Sequence, residues 1–205
     1  MTGSRRRDAD DRRAEILAAA SGLFARRGYD ATSMQEIADA VGLLKGSLYH
    51  HFASKEDILF HLLVDVHERA LRMLDEVADV EGTPLDRIAG YVRAHFTWTL
   101  RDLERVAILL AEYHHLPPEQ ARPVAQLRRR FSGYLTGLIE EAQRAGQVAG
   151  DLDARIAANA VLGIVNWASQ WYRPGGARSQ AAVVDQLVRQ ALVGVAEPGA
   201  WPPGS

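Results

Sequence analysis

The chain of 205 residues contains no cysteine. That absence removes disulfides, thiolate-held zinc, iron–sulfur clusters and thiol catalysis together, and it fits a reducing compartment. No apolar run approaches the ~20 residues a bilayer span needs. The start, Met1-Thr2-Gly3-Ser4-Arg5-Arg6-Arg7, leads into Asp8-Ala9-Asp10-Asp11 and not into the apolar core of a signal peptide. A soluble cytoplasmic protein without a membrane partner is expected. Lysine is scarce, since only Lys45 and Lys55 among the 24 cations are lysine. Net charge is small as well: 24 Lys+Arg against 26 Asp+Glu give −2. Residues 1–55 hold nine cations and seven acids (+2), which leaves 15 and 19 (−4) for residues 56–205. That tilt is too weak to mark a nucleic-acid binder unaided. What is present is an apolar fraction of 47%, ordinary for a globular chain and enough for one domain, or a small one joined to a larger.

Every segment with a readable period reads as helix, and no strand or internal repeat stands out. From Asp10 or Asp11, Ile16, Leu17, Ala20, Phe24 and Arg27 recur at three- and four-residue steps, with Gly28 as the stop. Ser33-Met34-Gln35-Glu36 is a capping box opening a short helix that Gly42 ends. A third segment runs from about Lys45 to Phe52 with Leu48 and Phe52 on one face. Ser54-Lys55-Glu56-Asp57 opens a long helix reaching about Asp79. Thr83-Pro84 and Asp86 start another, over about 84–100. Further helices are expected at about 102–115, 120–145, 153–172 and 179–195, separated by Pro117-Pro118 and by Pro174-Gly175-Gly176. The expectation is an all-α protein of about nine helices. It comprises a helix-turn-helix domain at 10–53 and an effector-binding and dimerisation domain at 54–196. An Arg-rich arm at 1–9 and a tail at 197–205 are expected to be disordered.

The stretch 33–52 carries the chemistry. A helix-turn-helix needs two helices crossing near ~90–120° over a turn of three or four residues. Close crossing wants a small residue on the first helix and a residue tolerant of positive φ in the turn. Ala38, Gly42, the flanking Ile37, Val41 and Leu43, and then Leu48 supply these at the right separations. Lys45, Ser47, Tyr49 and His50 stay off the buried face, where they suit phosphates and base edges. Spacing alone leaves open a plain helical hairpin within a larger bundle.

Residues 14–60 resemble the N-terminal DNA-binding domain of TetR-family transcriptional regulators. The resemblance is carried by Ile16-Leu17-Ala18-Ala19-Ala20, Leu23-Phe24, Gly28-Tyr29, Ala31-Thr32-Ser33, Ile37-Ala38 and Val41-Gly42. It continues through Lys45-Gly46-Ser47-Leu48-Tyr49-His50-His51-Phe52 and Ser54-Lys55-Glu56. It implies phosphate contact from Thr32 and Ser33, where a helix start offers free N–H groups. It implies further DNA contacts from Lys45, Ser47, Tyr49, His50 and Lys55. Tyr49, His51 and Lys55 would position the backbone, whereas Leu44, Lys45, Gly46 and His50 would read bases. Leu44 departs from the family's usual Ser or Thr, so the recognition helix lacks a side-chain cap, and Leu44 is a candidate for a thymine methyl. Arg5-Arg6-Arg7, beside Asp8, Asp10 and Asp11, is expected to be a solvated tail.

The same resemblance implies a homodimer reading a two-half-site, double-stranded operator. The helices at 153–172 and 179–195 are apolar on more than one face, which demands a second burial surface. The resemblance makes them the dimer interface, through Ile156, Ala160, Ile164, Val184, Leu187 and Leu192; a thick monomeric core is the alternative. The middle helices would hold a small-molecule effector among Tyr91, Phe96, Trp98, Tyr113, Phe131, Tyr134, Trp167, Trp171, Tyr172 and Arg173. Asn166-Trp167 and Trp171-Tyr172-Arg173-Pro174-Gly175-Gly176 are similar to a subgroup that regulates fatty-acid or steroid catabolism and answers to CoA thioesters. Arg128, Arg129, Arg130, Arg173 and Arg178 would then be available for phosphates. A multidrug-type sensor controlling an efflux pump is the alternative. No catalytic motif appears. Glu112-Tyr113-His114-His115 holds one Glu-x-x-His where a di-iron bundle has two, and His61 with Asp65 lacks a third ligand. Lys45-Gly46-Ser47 has no strand or glycine-rich approach. Neither enzyme activity, a metal nor a cofactor is expected.

Overall fold

A computed structural model describes residues 2–77 and 81–196. Nine α-helices follow in order: α1 (Thr2–Arg27), α2 (Met34–Ala40), α3 (Lys45–Leu48), α4 (Lys55–Val77) and α5 (Pro84–Arg101). After them come α6 (Leu103–Glu112), a 3-10 turn (Tyr113–His115), α7 (Pro118–Arg144), α8 (Ala154–Trp171) and α9 (Gln180–Val193). Among the described residues there is no strand; a single bridge pairs Val148 with Ala196. None of their helices is long and apolar enough to cross a membrane.

Local signals set most of the boundaries. Ser33 and Thr83 each complete a reciprocal capping box, with Glu36 and Asp86. The Ser54 hydroxyl accepts from the Asp57 N–H at 3.2 Å, while the Asp57 carboxylate reaches past it to the Ala53 N–H at 3.0 Å. Gly28 (φ +81°) ends α1 and Gly42 (φ +66°) ends α2, a left-handed conformation that side chains disfavour. Two helix starts differ from the sequence expectation. α1 begins at Thr2, so the arm expected to be disordered at 1–9 is helical over the described residues; beyond Gly3 its Arg, Ala and Asp offer no breaker. α7 begins at Pro118, not near residue 120, because proline at the first helical position gives up only an N–H that would be unbonded there. It carries Pro123 inside. The end expected for α4 near Asp79 and the tail at 197–205 lie outside the described residues.

The chain divides into two compact units. The first comprises residues 1–66 and 104–124, the second 67–103 and 125–205. The division falls inside α4 and α7, not at residue 54. The first turns of α4 bury Ile58, Leu59, Leu62 and Leu63 in a core with Ile16, Phe24, Ile37, Leu48 and Phe52, so they belong with the helix-turn-helix. At ~1.5–3 kcal/mol for each large side chain buried, these residues outweigh any local preference at the Ser54 cap. The second unit is built on α5, against which α8 and α9 lie. Leu85, Ile88, Tyr91, Val92 and Phe96 of α5 share its core with Leu135, Ile139, Val161, Val165, Val188 and Leu192.

Candidate functional site

In the first unit, α2 and α3 form the expected helix-turn-helix. Ala38 is fully buried, and its carbonyl accepts from the Leu43 N–H at 2.9 Å as the chain reverses through Gly42. Leu48 and Phe52 plug the core beneath. α3 is shorter than the 45–52 expected. After Leu48 the bonding tightens to three-residue steps, with the His50 N–H on the Ser47 carbonyl at 3.2 Å and the His51 N–H on that of Leu48 at 2.9 Å. Leu44 opens the helix with no side-chain cap and is 80% exposed. Lys45, Gly46 and His50 are exposed, Tyr49 is 47% exposed, and Ser47 and His51 are half-buried. Of these, Leu44, Lys45, Gly46, Tyr49 and His50 stand exposed on one outward turn.

The remaining anticipated contacts divide. Ser33 is exposed at the start of α2, its hydroxyl engaged with Glu36 at 2.9 Å. That backbone N–H and hydroxyl, then Arg27 at 2.7 Å, hold the Glu36 carboxyl below the usual carboxylate range. Thr32 is buried, and its hydroxyl donates to the Gly28 carbonyl at 2.8 Å, closing the end of α1. Lys55 is half-buried. Its ammonium donates to the carbonyls of Tyr29 and Thr32 at 2.8 and 2.9 Å and sits 4.1 Å over the Tyr29 ring. A cation already holding two carbonyls and a ring fastens α4 to the α1–α2 loop. Sequence reasoning missed Arg13, which donates to the His51 carbonyl and lies 4.2 Å over the Phe52 ring, steadying the turn from below. Burial, and secondarily this guanidinium, lowers the pKa of His61 despite Asp57. The His115 Nε2 lies 3.2 Å from the Glu112 carboxylate, with the His115 ring 4.4 Å from that of Tyr29.

The expected effector residues scatter. Tyr91 and Phe96 are fully buried, with Phe131 buried and Tyr134 and Trp98 half-buried about them. Tyr91 lies 5.8 Å from Phe131 and 5.9 Å from Tyr134, and His95 lies 4.8 Å from Phe131 and 6.0 Å from Trp98. Burial alone drives the His95 pKa down to about 3; burial, and then the neighbouring Tyr134, push that of Tyr91 up. Tyr113 is elsewhere, in the first unit's core, its hydroxyl on the Ala121 carbonyl at 2.9 Å. Trp167 and Trp171 do not line this core either. They are 66% and 46% exposed, on the face of α8 that also carries Ile156, Ala160 and Ile164 at steps of three and four residues. Arg173 is exposed, its guanidinium on the Tyr172 carbonyl at 2.9 Å. Arg128, Arg129, Arg130 and Arg178 are exposed as well.

A groove of about 470 Å³ opens beside the aromatic core, lined by Arg69, Arg72 and Met73 of α4 and Ala94, Thr97, Trp98 and Arg101 of α5. Trp98 belongs to both places. No period in the sequence distinguishes these arginines, because their meeting depends on how α4 and α5 lie together. Of the expected interface residues, Ile156 is 69% exposed, and Ala160 and Ile164 are exposed with it. Leu187 is half-buried, whereas Val184 and Leu192 are buried in the unit's own core. Both side chains lie in the core shared with α5.

Comparison with known proteins agrees with this architecture. Residues 16–62 match the tetR family of bacterial regulatory proteins, and residues 81–195 match the tetracyclin repressor-like C-terminal domain. The HTH-type transcriptional repressor KstR2 of Mycobacterium tuberculosis is 32% identical over 196 residues, covering 93% of this chain and 96% of that protein. The structure of that ketosteroid transcriptional regulator superposes with a TM-score of 0.82 at 29% identity, over 91% of this chain and 96% of the other. AibR, solved in complex with isovaleryl coenzyme A and operator DNA, gives 0.81 at 29% identity, over 87% and 97%. The chain therefore belongs to the TetR family, as a transcriptional regulator similar to the KstR2 repressors and not as an enzyme.

Proposed function

We propose that the protein is a cytoplasmic, homodimeric repressor that holds a palindromic operator and lets it go when a CoA thioester of a fatty or steroid-derived acid enters the second unit. Leu44, Lys45, Gly46, Ser47, Tyr49, His50 and His51 are the DNA-facing set. Lys45 and Tyr49 meet phosphates or base edges, and Leu44 offers an apolar surface to a thymine methyl. Ser33 meets a phosphate at the start of α2. Pairing runs along the α8 stripe Ile156, Ala160, Ile164, Trp167 and Trp171, whose exposed tryptophans are large apolar surface with no use in a lone subunit. Two copies then present their recognition turns to successive major-groove faces, ~34–36 Å apart or a multiple of it.

The observation that carries the effector class is the groove of Arg69, Arg72 and Arg101 abutting an aromatic core at Trp98. Guanidinium groups suit phosphates, and the rings beyond suit an acyl body. A neutral drug would have no use for three arginines, which weighs against the efflux-sensor alternative. Support also comes from AibR, whose complex contains isovaleryl coenzyme A. Entry of the ligand favours a state in which the half-site spacing no longer fits, with a coupling of ~1–3 kcal/mol. The test is a panel of acyl-CoAs and neutral drugs scored by thermal shift and by operator gel shift. A ligand at 100 times its Kd adds about 2.7 kcal/mol to folding stability. Acyl-CoAs should raise Tm and release the operator. Release by the drugs alone would reject the assignment.

A further inference from the structure

Among the described residues, the second unit holds four buried side-chain atoms without a hydrogen-bond partner: the Arg87 Nε, the Tyr91 hydroxyl, the His95 Nδ1 and the Thr99 hydroxyl. Arg87 is only half-buried and its guanidinium pairs with Glu141 at 2.9 Å, whereas the other three residues are buried. They stand four apart on α5, so they form one row along one face of the helix. An unmet polar group in an apolar interior destabilises the fold, and folded proteins hold few of them. Three in a row on one helix face is a concentration that calls for a partner.

Thr99 is the clearest case. A threonine in a helix ordinarily turns its hydroxyl back to the carbonyl four residues earlier, as Thr136 does to Ser132 at 3.1 Å. Thr99 does not, although this bond would satisfy it without any other residue. Rings of Phe131, Tyr134 and Trp98 pack against the row; Phe131 has no hydrogen-bonding atom, and neither the Tyr134 hydroxyl nor the Trp98 N–H bonds to the row.

The chemistry of the missing partner follows from the charge state. Burial keeps His95 uncharged and Tyr91 protonated. An uncharged row cannot balance a buried carboxylate or phosphate. It can receive a neutral oxygen, which accepts from the two hydroxyls or donates to the ring nitrogen. Trp98 lies between the row and the arginine groove, 6.0 Å from His95 on one side and lining the groove on the other.

We propose that Tyr91, His95 and Thr99 read a neutral carbonyl or hydroxyl carried on the apolar body of the effector, and that Trp98 is the side chain that moves to admit it. This rests on the effector-released reading above and adds the substrate feature that reading leaves open. The ligand is an oxygenated ring or chain and not a plain hydrocarbon acyl group.

The experiment compares matched pairs by calorimetry on the full chain. 4-Oxocyclohexanecarboxyl-CoA is set against cyclohexanecarboxyl-CoA, and, without the CoA arm, 1-decalone against decalin. The oxygenated member of each pair should bind about tenfold or more tightly. In Thr99→Val and Tyr91→Phe that preference should fall towards unity, while the ligand-free Tm stays level or rises because an unmet group has been deleted. A wild-type protein that binds both members of a pair equally overturns the proposal. So does a preference that survives both substitutions, or a Tm lowered by several degrees, which would mean the hydroxyls already have a structural partner. Binding of the decalone with no binding of either thioester rejects the CoA reading and keeps the row. Binding of none of the four compounds rejects the row.

Discussion

The recognition turn and the α5 row both hold polar side chains without protein partners, and they hold them in opposite surroundings. Lys45, Tyr49 and His50 stand in solvent on an outward turn, where water satisfies them until DNA arrives. Tyr91, His95 and Thr99 stand in an apolar interior, where nothing does. Waiting at the surface carries no penalty, so a DNA contact can be made from any donor the local helix happens to expose. Waiting inside destabilises the fold. A row of such groups is retained where something from outside completes it, and a binding site of that kind is marked by its own unfavourable energy.

This contrast can be broken in several ways. The largest expected effect is on the scaffold under the turn: Phe52→Ala, at a fully buried ring, should cost about 3–5 kcal/mol in chemical denaturation and carry operator binding away with it. Next is the buried histidine. Its folded pKa is about 3 against 6.5 for the free side chain, so between those values the unfolded chain takes a proton that the folded chain refuses. Stability should therefore be whole above about pH 6.5 and fall by a few kcal/mol as pH drops towards 3. His95→Phe should flatten that slope in a pH series of denaturation curves; an unaltered slope would show that the ring is not the group being titrated. Third, Tyr49→Ala and Lys45→Ala should each weaken operator binding by ~1–3 kcal/mol in gel shift with Tm unchanged, as expected of exposed groups. The smallest effect is at Ser33, where Ser33→Ala removes a helix cap worth about 1 kcal/mol, read as a modest fall in Tm.

Much of the first unit was legible from residue order. The capping box at Ser33, the stop at Gly42 and the plugs Leu48 and Phe52 all act within a few residues of themselves, so spacing suffices to find them, as it does for the box at Thr83 in the second unit. The hydrogen bonds of Thr32 and Lys55 escaped because their partners are backbone carbonyls, in Lys55's case those of Tyr29 and Thr32, 26 and 23 residues away. A lysine that holds two carbonyls is indistinguishable in sequence from one that meets a phosphate. The aromatics show the same limit: Trp98 and Trp167 are alike as letters, yet one lies against His95 and the other is two-thirds exposed on α8. The row on α5 did leave a trace, three hydrogen-bonding side chains every fourth residue on an otherwise apolar face, which aromatic content alone obscured.

Chain order was sufficient for the helices, their ends and the reversal between α2 and α3, because caps, breakers and apolar period act over one or two turns. It did not decide which side chains remain open to a partner. That depended on which face of α9 turns Val184 and Leu192 inward, where α4 meets α5 to gather three arginines, and how tightly the rings close over His95. These are contacts between segments tens of residues apart, and they exist only once the helices have stacked.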